Sequence, residues 1–254
     1  MTEQQVEVIP LSPEKYADLG LGCLRGKKHP GYEPRRQWLL QQQNNGLLLY
    51  ELMVNHQPTG FIEALPAEHS WRAVDAPGYL VIQCLYVLGK EYHSRGYAGQ
   101  LIQTCISQAR QKGMAGVAAL SADCSMTPRR DIFLKYGFRS CDEHAGYELM
   151  AYPFSAGTPL PHFTKQPADA YHELTLRYSA QCPMQTKAAI DIAAFCKEND
   201  IDIHLSEVTT AEQAHRTPCP LGTFALLYRQ QLVCGHPISA SRFRNILTKE
   251  LKLL

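Results

Sequence analysis

Apolar and polar positions alternate along the chain with two periods. Short apolar runs bounded by Gly, Pro, Asn or Ser predict strands at residues 6–11, 46–54, 59–65, 79–88, 117–121 and 147–152. Asn55-His56-Gln57-Pro58 joins the second and third of these as a hairpin. Helical segments separate the others. Ser12-Pro13-Glu14 has a hydroxyl for a cap and Pro for the first helical position, so a helix is expected over 16–24, and another over 34–43. After Gly96, the apolar residues Leu101, Ile102, Cys105, Ile106 and Ala109 fall on one face of a 3.6-residue period. Thr127-Pro128 opens a further short helix.

Residues 154–170 show no period and are rich in proline, so they predict a linker between units 1–153 and 171–254. The second unit predicts a strand at 174–179, a helix at 183–198 and a strand at 201–205. A helix at 209–215 follows, opened by a Thr209–Glu212 capping box, then a hairpin over 223–228 and 232–234 and a last helix at 241–251. At 254 residues the chain has room for one large domain or two of ~100–200 residues each. The fold class expected is α/β (α+β).

Composition removes several function classes. With 45% apolar and 19% charged residues the chain can bury a core. Its net charge of +1 offers no electrostatic case for nucleic acid or an anionic membrane. No apolar stretch approaches the ~20 residues of a membrane span, and residues 1–10 lack a signal-peptide pattern. The nine cysteines are odd in number, scattered, and without a Cys-x-x-Cys pair. That argues for a reducing cytoplasm and against a disulfide framework or a metal site.

The candidate chemistry begins where the strand at 79–88 turns into the helix after Gly96. A helix start has unpaired N–H groups and a partial positive charge, so small residues at such a turn let a phosphate approach the backbone. The segment His93-Ser94-Arg95-Gly96-Tyr97-Ala98 resembles the acyl-CoA loop [QR]-x-x-G-x-[GA] of the Gcn5-related N-acetyltransferases (GNATs), with His93 replacing the first residue. Ile132-Phe133-Leu134-Lys135-Tyr136-Gly137-Phe138 resembles their second signature, a helix ending in a Gly-Phe step. The resemblance implies a mixed central sheet whose middle strands part to admit the pantetheine arm. It also implies acetyl-CoA as co-substrate, held by Val87, Leu88, Phe133 and the backbone of His93, Ser94, Arg95, Gly96, Tyr97, Ala98 and Gly99. The reaction implied is transfer of an acetyl group to a small-molecule or peptidyl amine, and a homodimer is left open.

Such transfer needs a base for the amine, polarisation of the thioester and a proton for the departing thiolate. In the family a tyrosine of the second signature commonly supplies that proton; Phe133 stands in its place and cannot. Tyr136, Tyr147, Ser121 or a water is left for the role. Glu63 interrupts the apolar Phe61-Ile62-Glu63-Ala64-Leu65 and is the candidate base, its alternative being a solvated sheet face. Gln83 cannot accept a proton, and Cys84 reads as core. Residues 66–78 carry Trp71 and Arg72 as an acceptor surface, unless Trp71 covers a sheet edge. Asp123 and Cys124 lie where an acceptor would approach. Lys27, Lys28, Arg35 and Arg36 form either an anion contact or a solvated basic face.

The second unit, β-α-β-α-β-β-α, resembles the thioredoxin fold in its glutaredoxin form. Tyr178-Ser179-Ala180-Gln181-Cys182-Pro183-Met184-Gln185 resembles the Cys-Pro-x-Cys entry with Gln185 in place of the second cysteine. One thiol at a helix start is expected to have a lowered pKa, making Cys182 reactive. The whole arrangement resembles bacterial YoaP-type proteins. The alternative to an acetyltransferase is then a thiol-based binding or sensing protein built on Cys182, with the first unit as a CoA-binding module.

Overall fold

A computed structural model describes residues 4–123, 127–164 and 170–254. In the first unit, β1 (Val6–Pro10) leads to α1 (Tyr16–Leu19) and α2 (Tyr32–Gln43). The helix expected over 16–24 is only one turn long, because Gly20 leaves it with φ +87°. Next come β2 (Leu48–Val54), β3 (Gln57–Pro66), β4 (Val74–Asp75), β5 (Tyr79–Val87), α3 (Tyr97–Gln111) and β6 (Gly116–Ala122). Then follow α4 (Arg130–Lys135), β7 (Arg139–His144), β8 (Tyr147–Pro153) and β9 (His162–Phe163). The β2–β3 turn is tighter than expected, with Asn55 and His56 both at positive φ.

Seven strands form one sheet in the order β1-β2-β3-β5-β6-β8-β7. All neighbours are antiparallel except β5 and β6. That parallel pairing runs only from Tyr79↔Gly116 to Ile82↔Ala119. Beyond it the two strands part. A bulge at Gln83 shifts the register against β3, so that Cys84 faces Glu63 while Ile82 faces Ala64. One face of the sheet packs against α3 around Leu101, Ile102, Cys105, Phe133 and Phe138. The other face is covered by α1, α2 and the second unit.

The second unit holds β10 (Leu174–Ser179), α5 (Pro183–Glu198), β11 (His204–Val208), α6 (Ala211–His215), β12 (Ala225–Tyr228), β13 (Gln231–Cys234) and α7 (Ala240–Asn245), the last extended by a π-helical turn over Ile246–Leu251. Its sheet order is β11-β10-β12-β13, with β10 and β11 parallel and the other pairs antiparallel. The strand expected at 201–205 begins later, at His204. The cap of α6 is one residue further on than expected. Thr210 accepts the N–H of Gln213 at 3.1 Å, and Gln213 Oε1 accepts the N–H of Thr209 at 2.8 Å, so Gln213 and not Glu212 closes the box.

The stretch expected to be only a linker takes part in structure: Phe163 in β9 pairs with Val74 in β4 and is buried. The two units share their cores. Cys219, Leu221, Ala225 and Leu227 pack with Tyr79, Val81, Leu120 and Leu149, and Val208 and Ala214 pack with Trp38 and Trp71. Gly31 touches α5 so closely that a Cβ there would lie 2.6 Å from Pro183. No helix among the described residues is long and apolar enough to cross a membrane.

Candidate active site

Glu63 lies at the centre of β3, fully buried. Alternation along the strand puts it on the face of Phe61 and Leu65, under α2 and the second unit, and not on a solvated face. Its Oε2 is ion-paired with Arg35 of α2, and its Oε1 accepts the side-chain amide of Gln181 at 2.9 Å. Arg35 also donates to the main-chain oxygen of Gln181 at 2.6 Å. Its guanidinium lies 5.3 Å from the Trp38 ring centre. Arg35 is therefore core and not part of a solvated basic face. Sequence carried a signal for this: Arg35, Trp38, Leu39 and Gln42 recur at i, i+3, i+4 and i+7, and all four are buried.

Arg72 is the second buried cation. It donates to Leu221 O at 2.7 Å, Gln181 Oε1 at 3.3 Å and Thr223 Oγ1 at 3.4 Å, and also to the main-chain oxygen of Gln83. Burial pushes its pKa down, and nearby acidic groups push it back up. Trp71, next to it, is buried edge-on to Trp38, with ring centres 5.5 Å apart. It fills core and presents no binding surface.

These groups line a cavity of about 490 Å³ between the two units. The first unit contributes Cys23, Arg35, Glu63, Arg72, Gln83 and Cys84, with Leu85, Leu88, Leu120 and Phe133 from the region where β5 and β6 part. From the second unit come Gln181, Cys182, Pro183 and Met184. Burial pushes Cys23 up to about 12 and pushes Cys84 up as well. Cys84 is thus a cavity thiol as well as a core residue.

Cys182 caps α5 as expected, but its thiol does not have the lowered pKa expected of a helix start. Burial raises it, and the N–H groups of Met184 and Gln185, with Arg35 and Arg72, only moderate the rise. Gln185 locks the turn where a second cysteine was missing. Its Oε1 accepts from Ser179 N at 3.1 Å and Ser179 Oγ at 3.0 Å, and its Nε2 donates to Thr223 Oγ1 at 2.9 Å.

At the start of α3, Gly96 has φ +80°, a conformation suited to glycine, and a Cβ there would meet nothing within 4 Å. Ser94 also has positive φ, and the His93 ring lies 3.4 Å from Val87 O. Arg95 and Tyr97 both donate to Gln4, at 3.2 and 2.9 Å. Ala98 packs on the core. Gly99 is needed for space, since a Cβ there would lie 1.6 Å from the Tyr136 hydroxyl.

The remaining candidates lie apart. Ser121, Asp123 and Tyr147 line a different depression of about 600 Å³, beside the Arg130–Glu148 ion pair. The Tyr147 hydroxyl donates to Gly235 O at 3.3 Å. Cys124 lies outside the described residues. Among the described residues no group of three or more His, Cys, Asp or Glu is placed to hold a metal ion.

Residues 16–138 match the acetyltransferase (GNAT) family and residues 202–245 the YoaP-like family. The chain joins a GNAT acetyltransferase domain to a YoaP-like C-terminal region. It is 28% identical over 219 residues to the uncharacterized N-acetyltransferase YoaP of Bacillus subtilis (strain 168), a match spanning 84% of this chain and 86% of that protein. Among solved structures, the GNAT domain is similar to the PaiA N-acetyltransferase of Thermoplasma acidophilum, solved with coenzyme A. That match has a TM-score of 0.44 and 14% identity over 59% of this chain and 99% of that one. Another is the acetyltransferase yncA of Salmonella typhimurium, solved with acetyl-CoA, with a TM-score of 0.45 and 14% identity over 61% and 96%. In this chain the cavity floor at Glu63 is bonded directly to the C-terminal unit through Gln181.

Proposed function

We propose that the chain is an acetyl-CoA-dependent N-acetyltransferase whose acceptor, a small-molecule or peptidyl amine, enters the cavity between the GNAT domain and the C-terminal unit. The observation that carries this is the parting of β5 and β6 beyond Ile82 and Ala119, beside a cavity that has a buried carboxylate, Glu63, in its wall. The backbone of His93 to Gly99 would hold the pyrophosphate, because Gly96 leaves open space at a helix start. Val87, Leu88 and Phe133 would lie along the pantetheine arm. Glu63 would hold the amine and receive its proton. Of the proton donors considered, Tyr136 is the one beside the start of α3, while Tyr147 and Ser121 line the other depression.

Residues 171–254 form a thioredoxin-like unit in this reading, supported by the β11-β10-β12-β13 order and by Cys182 at the start of α5. The linker at 154–170, the cytoplasmic location and a homodimer remain parts of the same proposal. A thiol-based protein is the second reading, and one observation favours it: Cys182 lines the same cavity as Glu63.

Calorimetry with acetyl-CoA, followed by release of free CoA over a panel of amines, tests the first reading. Glu63→Gln keeps shape and removes proton acceptance, so turnover should fall ~10²–10⁴-fold with acetyl-CoA affinity unchanged. Unchanged turnover in Glu63→Gln removes Glu63 from the chemistry. Absence of CoA release with any amine, alongside loss of a thiol-dependent signal in Cys182→Ser, would favour the second reading.

A further inference from the structure

The described lining of the interdomain cavity has three charged side chains, Arg35, Arg72 and Glu63. Arg35 and Glu63 neutralise each other as an ion pair. Arg72 is left over. It is 6% exposed, and its hydrogen-bond partners, Gln181 Oε1, Leu221 O, Thr223 Oγ1 and Gln83 O, are all neutral. Glu63 and the neighbouring thiols act on it only through space, so a buried cation with no hydrogen-bonded anion is stabilised strongly by an anion that enters its cavity.

Gln181 shows what shape of anion suits the place. Its carboxamide lies between the two charges and is oriented by them. The NH₂ end donates to the carboxylate of Glu63 at 2.9 Å, and the oxygen end accepts from the guanidinium of Arg72 at 3.3 Å. An α-amino acid has the same polarity, with ammonium hydrogens for a carboxylate and carboxylate oxygens for a guanidinium. Its nitrogen and oxygen are three bonds apart, against two in the carboxamide, so it spans nearly the same gap. The rest of the wall is largely apolar, with Ile82, Leu85, Leu120, Phe133, Met184 and Leu221.

We propose that the acceptor is a free α-amino acid with an apolar side chain, its ammonium group toward Glu63 and its carboxylate toward Arg72. This rests on the acetyltransferase reading above. Acetyl transfer to that amine forms one N–C bond and breaks the thioester C–S bond. Glu63 takes one proton from the ammonium before attack, the nitrogen gives up a second as the amide forms, and the CoA sulfur gains one, so no oxidant or reductant is consumed. The Gln181 carboxamide, which now makes these two bonds, swings aside as the acceptor takes its place, so the C-terminal unit, with Met184 also in the lining, takes part in specificity.

Three probes with one side chain separate the contributions: L-leucine, L-leucinamide and isopentylamine. Each is titrated calorimetrically into the full chain with CoA present, and each is offered with acetyl-CoA while free CoA is measured. The expected order in kcat/KM is leucine first, leucinamide lower by about tenfold or more, and isopentylamine lower by about 10²-fold or more, because a site built around a buried charge rejects ligands that leave it unpaired. Arg72→Met should bring the three within about tenfold of one another and leave acetyl-CoA affinity unchanged. If that variant unfolds, the comparison in the unaltered protein still decides. Leucine binding without CoA release from any amine supports the amino-acid site and overturns the acetyltransferase reading. Leucine bound or acetylated no better than isopentylamine overturns the amino-acid site, whatever the turnover.

Discussion

Gln181 of the C-terminal unit donates its side-chain amide to Glu63 of the GNAT domain at 2.9 Å, across the boundary between the two. The candidate site is therefore not complete in the GNAT domain alone. Gln181→Leu keeps bulk and removes the bridge, leaving Glu63 Oε1 without its donor and Arg72 with one acceptor fewer. Losing one partner of a buried polar pair costs about 1–3 kcal/mol. Urea unfolding should register that loss, and CoA release should slow while acetyl-CoA binds as before. Full activity in Gln181→Leu would mean that the contact only joins the units.

Glu51 offers a pH test. It is fully buried on β2, neither carboxylate oxygen has a hydrogen-bond partner, and burial pushes its pKa from 4.5 up to about 8, with Arg25 acting weakly in the other direction. Between these values the unfolded chain has lost the proton and the folded chain keeps it. Stability should therefore be free of this penalty below pH 4.5 and fall as pH rises toward 8. Glu51→Gln should flatten that slope and stabilise the protein at pH 8 by on the order of a few kcal/mol, with little effect near pH 4. Chemical unfolding of both proteins across this range is the measurement, and parallel curves would sink the assignment.

Gly96 separates backbone strain from ligand exclusion. With φ at +80° and nothing near a Cβ, Gly96→Ala should cost roughly 1–2 kcal/mol of stability through the left-handed backbone alone. Gly96→Glu adds a negative charge where the pyrophosphate is expected and should weaken acetyl-CoA binding far more than Gly96→Ala does. Calorimetry on both variants distinguishes the two effects. Retained affinity in a folded Gly96→Glu protein means that phosphate binds elsewhere.

Cys182 is expected to alkylate slowly at neutral pH, since burial raises its pKa, and faster as the solution becomes alkaline. It lines the same cavity as Leu88 and Phe133, so acetyl-CoA should protect it. Mass spectrometry after brief iodoacetamide treatment, with and without acetyl-CoA, reads both. Rapid labelling at about pH 7 that acetyl-CoA leaves unchanged would place the thiol outside the acyl site.

Much of the fold was legible from local pattern. The α3 face at Leu101, Ile102, Cys105 and Ala109 buries where its period places it, and β10 and α5 have the bounds that their sequence predicts. Propensity, caps and glycine positions act over a few residues, so one stretch of chain is enough to reveal them. Helix α1 is shorter than its apolar segment predicts because Gly20 takes a conformation that periodicity does not register.

The sequence by itself determined the strand–loop–helix at Gly96, the Gly-Phe step after α4, and a lone thiol at the start of α5. Each is a pattern of neighbours. Only the tertiary structure decided that Trp71 is core, that Glu63 is paired with Arg35, and that Arg72 carries a buried charge with no hydrogen-bonded anion. It also decided that Gln181 joins Glu63 and Arg72 from more than a hundred positions away. Those outcomes depend on burial and on charges meeting across the interface of two units, and both are set by packing of distant segments, which no local period encodes.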